Sequence, residues 1–321
     1  MFKYIIWFIN NKINNLVLTG VSTTAAVQCE GLFYSGPSSG TNIISKNIIH
    51  SLSLNAVNPT VYLTAMDIGA GLVTISNNMM RLGFDSLGNS ITTPCFIRGI
   101  SKNVSITNVY FNSIYIGGTG VGASATNTFA FQRTASAASD DVRNNIFMND
   151  RSNASSGGKH YQCFLINNTT ITLHNNIYYG SGTGAVFGTL NNGTSDVTIY
   201  SSRWTSTDVN SAAADPQFVN ATGTAALGDI HISSTAATPI ESSGILISSI
   251  TDDIDGQIRS NFSATDIGAD AGNFRPLDIF APMIGTPIAS NTSSTADRII
   301  NVNITDVTGV PLSLIHIWRC R

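Results

Sequence analysis

Apolar and polar residues return along this chain with a long period and not a helical one. Short apolar–polar–Asn stretches recur at Asn11, Asn47, Asn78, Asn112, Asn145, Asn176 and Ser202, with spacings of 36, 31, 34, 33, 31 and 26 residues and a mean of about 32. Three residues before these positions stand Phe8, Ile44, Ile75, Val109, Val142, Leu173 and Ile199; two residues after them stand Ile13, Ile49, Met80, Ile114, Phe147, Tyr178 and Trp204. All fourteen are apolar in a chain that is 42% apolar overall, which marks an internal repeat. Stretches such as Asn103–Ile116 and Thr169–Tyr178 are rich in Ile, Val, Thr and Tyr, the composition of strands. A helical repeat of this period would use Ala, Leu, Glu and Lys instead.

The two apolar positions of each repeat lie five residues apart, an odd number, so a straight strand would send them to opposite faces. Both reach one interior only if the chain turns at the reference Asn. Asn accepts the left-handed backbone of a sharp corner, and its amide can bond the equivalent Asn one coil away. Short strands, corners and stacked repeats describe a solenoid in which each coil depends on its neighbours. Seven reference positions at about 4.8 Å per coil would stack to roughly 30 Å. The polar stretches Gly117–Asn127, Thr134–Asp140 and Ser152–Gly158 are expected side loops. A leucine-rich repeat also uses an Asn column, but its L-x-x-L-x-L register is missing.

Composition narrows the surface chemistry. Charged residues are 11% of the 321 and the net charge is -3, while Asn, Ser and Thr together number 103. Such a chain is neither disordered through charge nor marked by the basic footprint of a nucleic-acid binder. The apolar run Tyr4–Ile9 is shorter than a secretory signal core and cannot span a membrane. Cys29, Cys95 and Cys163 have no C-x-x-C spacing and read as small buried hydrophobes. The last ten residues, Leu312–Arg321, which include Cys320, resemble a translated sequencing adapter and are set aside from the fold argument.

Several segments carry a family resemblance: Val109–Gly118, Asn144–Asn149, Gly158–Tyr161, Asp215–Phe218, Gly228–His231, and the run Asp252–Arg259 followed by Asp266–Asp270. Together they resemble the right-handed parallel β-helix proteins of pectin-lyase-like fold, in particular long secreted surface proteins of Bacteroidetes, over about residues 9 to 275. The resemblance implies an all-β chain with β-helix coils over 1–204 and a closing, capping segment over 205–275. It also implies the truncated start of an immunoglobulin-like β-sandwich over 276–311, where Ile299–Thr305 alternates, followed by the adapter-like 312–321. It further implies a secreted or cell-surface location.

Candidate chemistry is sparse. A lyase on this fold would need cationic groups for a uronate carboxylate, commonly Ca²⁺, and a base near the α-carbon proton. Arg143, Lys159 and His160, beside Asp140, Asp141 and Tyr161, are the best local set, with a solvated loop as the plain alternative. Asp252, Asp253, Asp255, Asp266 and Asp270 offer oxygen ligands for Ca²⁺, or else Asp-Gly turn chemistry with Arg259 pairing one carboxylate. Tyr110, Tyr115, Tyr161, Tyr178 and Tyr179 would stack sugars if they faced outward. His50, His174 and His231 are isolated and accompany no catalytic spacing. The reading favoured by this balance is a non-catalytic structural or adhesive module, monomeric and without a membrane span in this sequence, that binds polysaccharide or cell-surface glycan. The alternative is a polysaccharide lyase or glycoside hydrolase acting in a groove along one sheet.

Overall fold

The computed structural model describes residues 6–19, 26–55, 60–134, 139–166, 170–190, 195–197, 208–262 and 264–277, with four two-residue strands beyond them. The chain divides into two compact units, Met1–Arg275 and Pro276–Arg321.

The first unit is a parallel β-solenoid. Its most regular sheet stacks Lys12–Asn14, Ile48–His50, Met79–Leu82, Ser113–Ile116, Ile146–Asn149, Ile177–Tyr179 and Ala212–Ala213 in chain order, all parallel. We call this the post-corner sheet. The pre-corner strands are Trp7–Ile9, Ile43–Ser45, the ends of Val61–Ser76 and Phe96–Tyr110, Asp140–Arg143, Ile171–His174 and Asp208–Val209. A third face is built by Val27–Ser35, the first halves of Val61–Ser76 and Phe96–Tyr110, then Thr128–Arg133, His160–Leu165 and Ala185–Leu190. Ser195–Val197 adds to it in antiparallel sense. Because Val61–Ser76 and Phe96–Tyr110 run through both faces, these two faces form one folded sheet of twelve strands.

The repeat seen in the sequence is the interior of this solenoid. Ile44, Ile75, Val109, Val142 and Leu173 form one buried column; Ile49, Met80, Ile114, Phe147 and Tyr178 form the other. In the first coil Phe8 is 37% exposed and Ile13 only partly buried, since that coil packs on one neighbour among the described residues. Between the columns runs an asparagine ladder. The backbone N–H and the side-chain Nδ2 of Asn11, Asn47, Asn78, Asn112 and Asn145 each donate to Oδ1 of the next rung at 2.9 to 3.1 Å. Asn78, Asn112, Asn145 and Asn176 each also donate from Nδ2 to the preceding coil, to the carbonyls of Ile44, Ile75, Val109 and Val142. A buried amide with every donor used holds the corner in register, because an unpaired one would cost the full desolvation of the group.

Two details differ from the sequence reading. The left-handed residue of each corner precedes the ladder position: Asn10, Lys46, Asn77, Phe111, Asn144, Asn175 and Asn210 have φ between 52° and 60°. The ladder Asn must aim its amide inward, so the sharp turn falls on the residue before it. The rung after Asn176 is Ser211, whose Oγ accepts the Asn176 backbone N–H at 2.9 Å. Ile199, Ser202 and Trp204, assigned to that place by spacing, lie outside the described residues.

Residues 214–275 do not simply close the last coil. They fold back along the post-corner sheet and the corner itself. Ile230, Ile232, Ile240, Ile254, Ile267 and Ala269 pack on the outward side chains Met79, Tyr115, Ile146, Met148 and Ile177, making a second core. The left-handed residues act as docking posts. Asn175 Nδ2 donates to the Ser243 carbonyl, Asn144 exchanges two bonds with the backbone of Ile245, Asn77 Nδ2 donates to the Asp252 carbonyl, and Lys46 pairs with the Asp252 carboxylate. Arg259 stacks over the Phe111 ring at 4.1 Å and donates to Asn77 Oδ1 and the Gly268 carbonyl.

In the second unit, Met283–Ile284 pairs with Ile304–Thr305 and Ile288–Ala289 with Ile300–Asn301, both antiparallel. Four two-residue strands form two ribbons and do not define a sandwich. Residues 312–321 lie outside the described residues.

Candidate functional site

Along the third face each coil bends once. Leu63 and Met66 both point inward although three residues apart, and Gly31, Ala65, Gly99 and Ala130 occupy the bend in successive coils. A Cβ on Gly99 would fall 2.4 Å from the Ala130 carbonyl oxygen, so only glycine fits there. The bend sets three outward rows side by side: Gln28–Tyr62–Phe96; Glu30–Thr64–Arg98–Phe129–Tyr161–Val186; and Phe33–Asp67–Ser101–Gln132–Phe164.

At the C-terminal coils this strip is closed. Phe129 and Tyr161 stack at 5.4 Å and Phe164 meets both edge-on, so Phe129 and Tyr161 are buried. At the first coils it is open. Tyr62 and Phe96 stack at 4.7 Å with a 12° interplanar angle, half-buried, and the Arg98 guanidinium lies 4.3 Å above the Tyr62 ring. Arg98 Nε has no hydrogen-bond partner among the described residues. Glu30 shares a hydrogen bond with Asp67; burial first, and then that carboxylate, push the Glu30 pKa up, while Arg98 opposes them. Phe33, 59% exposed, borders the pair. An aromatic shelf, a guanidinium lying against it and two adjoining carboxyl groups thus meet on one outer face. A shelf of this kind takes the apolar face of a sugar ring while the flanking groups bond its hydroxyls. Two carboxyls in direct contact are closer than the roughly 5 Å or more of a glycosidase pair.

The residues singled out from sequence are distributed differently. Arg143 lies on the pre-corner face in an ion pair with Asp141, whose carboxylate also accepts from the Tyr110 hydroxyl. Lys159 pairs with Asp196 at 2.5 Å, and Tyr161 donates to the same carboxylate. His160 is fully buried between Thr128 Oγ1 and Asn153 Oδ1, and burial, then Arg151, lowers its pKa to about 4. Asp140 is interior, bonded by Lys102 Nζ and Arg133 Nε at 2.7 Å each and by the Thr107 N–H. Arg143, Lys159 and His160 therefore form no common site, because strand parity and the intervening turn send them to different faces. Tyr115 lies beneath the closing segment and Tyr178 in the main core, so the five tyrosines form no outward platform.

Of the five acidic candidates, Asp253, Asp255 and Asp270 bring ligand oxygens within 4.8 Å of one another. Asp253 accepts the N–H groups of Asp255, Gln257 and Ala271, and Asp270 that of Ile232. Asp252 turns away to Lys46, and Asp266 accepts from the N–H of Ser242 and Gly272. Burial raises Asp266 and Asp270 to about 6. Arg259, buried among these acids, already supplies a positive charge there. His231 bridges Asp229 and Asp255. Cys95 and Cys163 are buried free thiols, with burial pushing Cys95 up to about 11.

Sequence reasoning missed Glu30, Tyr62, Asp67, Phe96 and Arg98. The available signal was the coil period itself: Tyr62 and Phe96 are aromatics 34 residues apart, the offset between their two coils, and Phe129 and Tyr161 repeat the pairing at 32 in the neighbouring row. No known protein family matches the chain, and neither the curated proteins nor the solved structures contain a match to it. Fold and ladder together define the class: a parallel β-solenoid with an internal asparagine ladder and a closing segment folded along one sheet.

Proposed function

We propose that this chain is a non-catalytic module of a secreted or cell-surface protein that binds glycan along the open part of its third face. The Tyr62–Phe96 stack with Arg98 against it carries this reading, since a half-exposed aromatic pair flanked by donors and acceptors suits a saccharide ring. Support comes also from the low charge of the surface, which favours hydroxyl recognition over ionic steering. A lyase reading would require a free base beside the bound sugar, and Arg143, Lys159 and His160 are each engaged elsewhere.

Affinity electrophoresis through neutral and acidic polysaccharides tests the proposal. The purified protein is expected to be retarded by at least one of them without releasing unsaturated uronate. Combined Tyr62→Ala and Phe96→Ala should weaken binding about tenfold or more, each ring contributing on the order of 1 kcal/mol. Arg143→Ala should change it by less than about threefold, as for other exposed ion pairs. Retardation that survives loss of both rings sinks the proposed site, and cleavage products replace the binding reading with the lyase one.

A further inference from the structure

A second site lies on a different face. Where segment 225–231 crosses the first three coils, it roofs a pocket of about 130 Å³ against the outward side chains of the post-corner sheet. The pocket floor is basic. Asn14, His50 and Arg81 occupy one outward row, and Lys12 heads the neighbouring one. Lys12 has no carboxylate partner among the described residues. Arg81 is buried; its Nε donates to the Ala221 carbonyl and its Nη2 to that of Gly223, while Nη1 has no partner among the described residues. Gly228, also a wall of the pocket, rests on that guanidinium: a Cβ there would lie 2.5 Å from Arg81 Cζ and 2.8 Å from Nη1. His50 Nδ1 is held by Ser51 Oγ at 3.0 Å, leaving Nε2 without a partner among the described residues.

The opposite wall supplies one acid, Asp229, and it is taken. Its Oδ1 accepts both the N–H and the ring Nδ1 of His231, whose Nε2 faces Asp255. Lys12, His50 and Arg81 therefore share the pocket lining with one carboxylate, Asp229, that bonds none of them. Arg81 is buried there with Nη1 unmet, Lys12 is exposed beside it and His50 is uncharged at neutral pH, so an arriving oxyanion finds charge-assisted hydrogen bonds that no group among the described residues already takes.

We propose that this pocket binds the oxyanion of an acidic saccharide, a carboxylate or a sulfate, with Lys12 and His50 as donors and Arg81 as the charge behind them. Binding is linked to protonation. Burial first, then Lys12 and Arg81, hold His50 down to about 4. The groups facing it are Lys12, Arg81, Asp229 and His231, and a bound anion offsets the two cations and lets the imidazole take up a proton. Affinity must then rise as pH falls.

Isothermal titration calorimetry of the whole chain with sodium sulfate, glucuronate and glucose tests this. Sulfate and glucuronate are expected to bind one per chain, about fivefold or more tightly at about pH 5.5 than at about pH 7.5, with glucose inert. Proton uptake, read from two buffers of different ionisation enthalpy, should accompany sulfate binding. Lys12→Ala should weaken sulfate about tenfold, and His50→Gln should abolish the pH dependence, both at unchanged melting temperature. Tyr62→Ala with Phe96→Ala should leave sulfate affinity as in the wild type, which separates this site from the aromatic shelf. Absence of saturable sulfate binding up to about 20 mM overturns the proposal. So does wild-type affinity in Lys12→Ala. Sulfate binding without glucuronate binding overturns its saccharide part.

Discussion

Asn112 shows what one residue does in this fold. It accepts the Asn78 N–H and Nδ2 on Oδ1, and donates from Nδ2 to Asn145 Oδ1 and to the carbonyls of Ile75 and Tyr110. Replacement by Leu keeps the branched shape but leaves donors and acceptors of three coils buried and unmet, each costing about 1 to 3 kcal/mol. Asn112→Leu should therefore lose about 3 kcal/mol or more in urea unfolding, whereas Asn11→Leu, on the half-buried first rung, should lose about 1 kcal/mol or less. Equal losses at the two rungs would contradict the ladder account. The column of Asn was legible in the sequence because its partners recur with the coil. The left-handed position was displaced by one, because apolar spacing says which side chains share an interior and not which peptide turns. Phe111 and Lys46 in that conformation make the point: the outward side chain is free to be anything that docks the closing segment.

At the scale of elements, the post-corner strands explain the closing segment. Met79–Leu82, Ser113–Ile116 and Ile146–Asn149 are buried at every position, so both faces of this sheet are covered. A strand buried on both faces is apolar beyond strict alternation, and Met79, Met80 or Ile146, Phe147, Met148 carry that mark. Nothing in the local sequence says that residues 214–275 supply the cover, since the docking bonds join positions 68 to 206 residues apart, from Asn175 with Ser243 to Lys46 with Asp252. Removing residues 214–275 should expose Met79, Tyr115, Ile146, Met148 and Ile177 together, an apolar surface large enough to drive association. The expected product binds a hydrophobic dye and elutes as aggregate in size-exclusion chromatography; a monomeric product with a cooperative melt would show the cover to be dispensable. The aromatic shelf was missed at this same scale. Glu30, Asp67 and Arg98 become neighbours only through parallel register and the bend at Gly31, Ala65 and Gly99, and neither is visible along a single strand.

Across the whole molecule, buried titratable groups give stability a pH dependence of two signs. His160 and His50 are held near 4, so between about 6.5 and 4 the unfolded chain binds more protons on them and stability falls as pH falls. Asp266 and Asp270 are raised to about 6 from the ordinary 3.8, so their contribution is complete below the lower value and is lost as pH rises through the higher. His160→Gln and Asp270→Asn should tilt the profile of melting temperature against pH in opposite directions. The first removes part of the acid loss; the second removes part of the acid gain. Each tilt is on the order of 1 to 3 kcal/mol across that window. Parallel profiles for the two variants and the wild type would rule this out. By itself the sequence determined the solenoid: repeated apolar pairs, strand-forming residues and a column of amides are local chemistry multiplied by a period, and only stacked coils satisfy all three. The tertiary structure alone decided which face is roofed, where Arg143, Lys159 and His160 part company, and where Lys12, His50 and Arg81 meet. Those outcomes depend on parity at each bend and on a closing segment whose partners lie far away in the chain, and a single sequence leaves both unspecified.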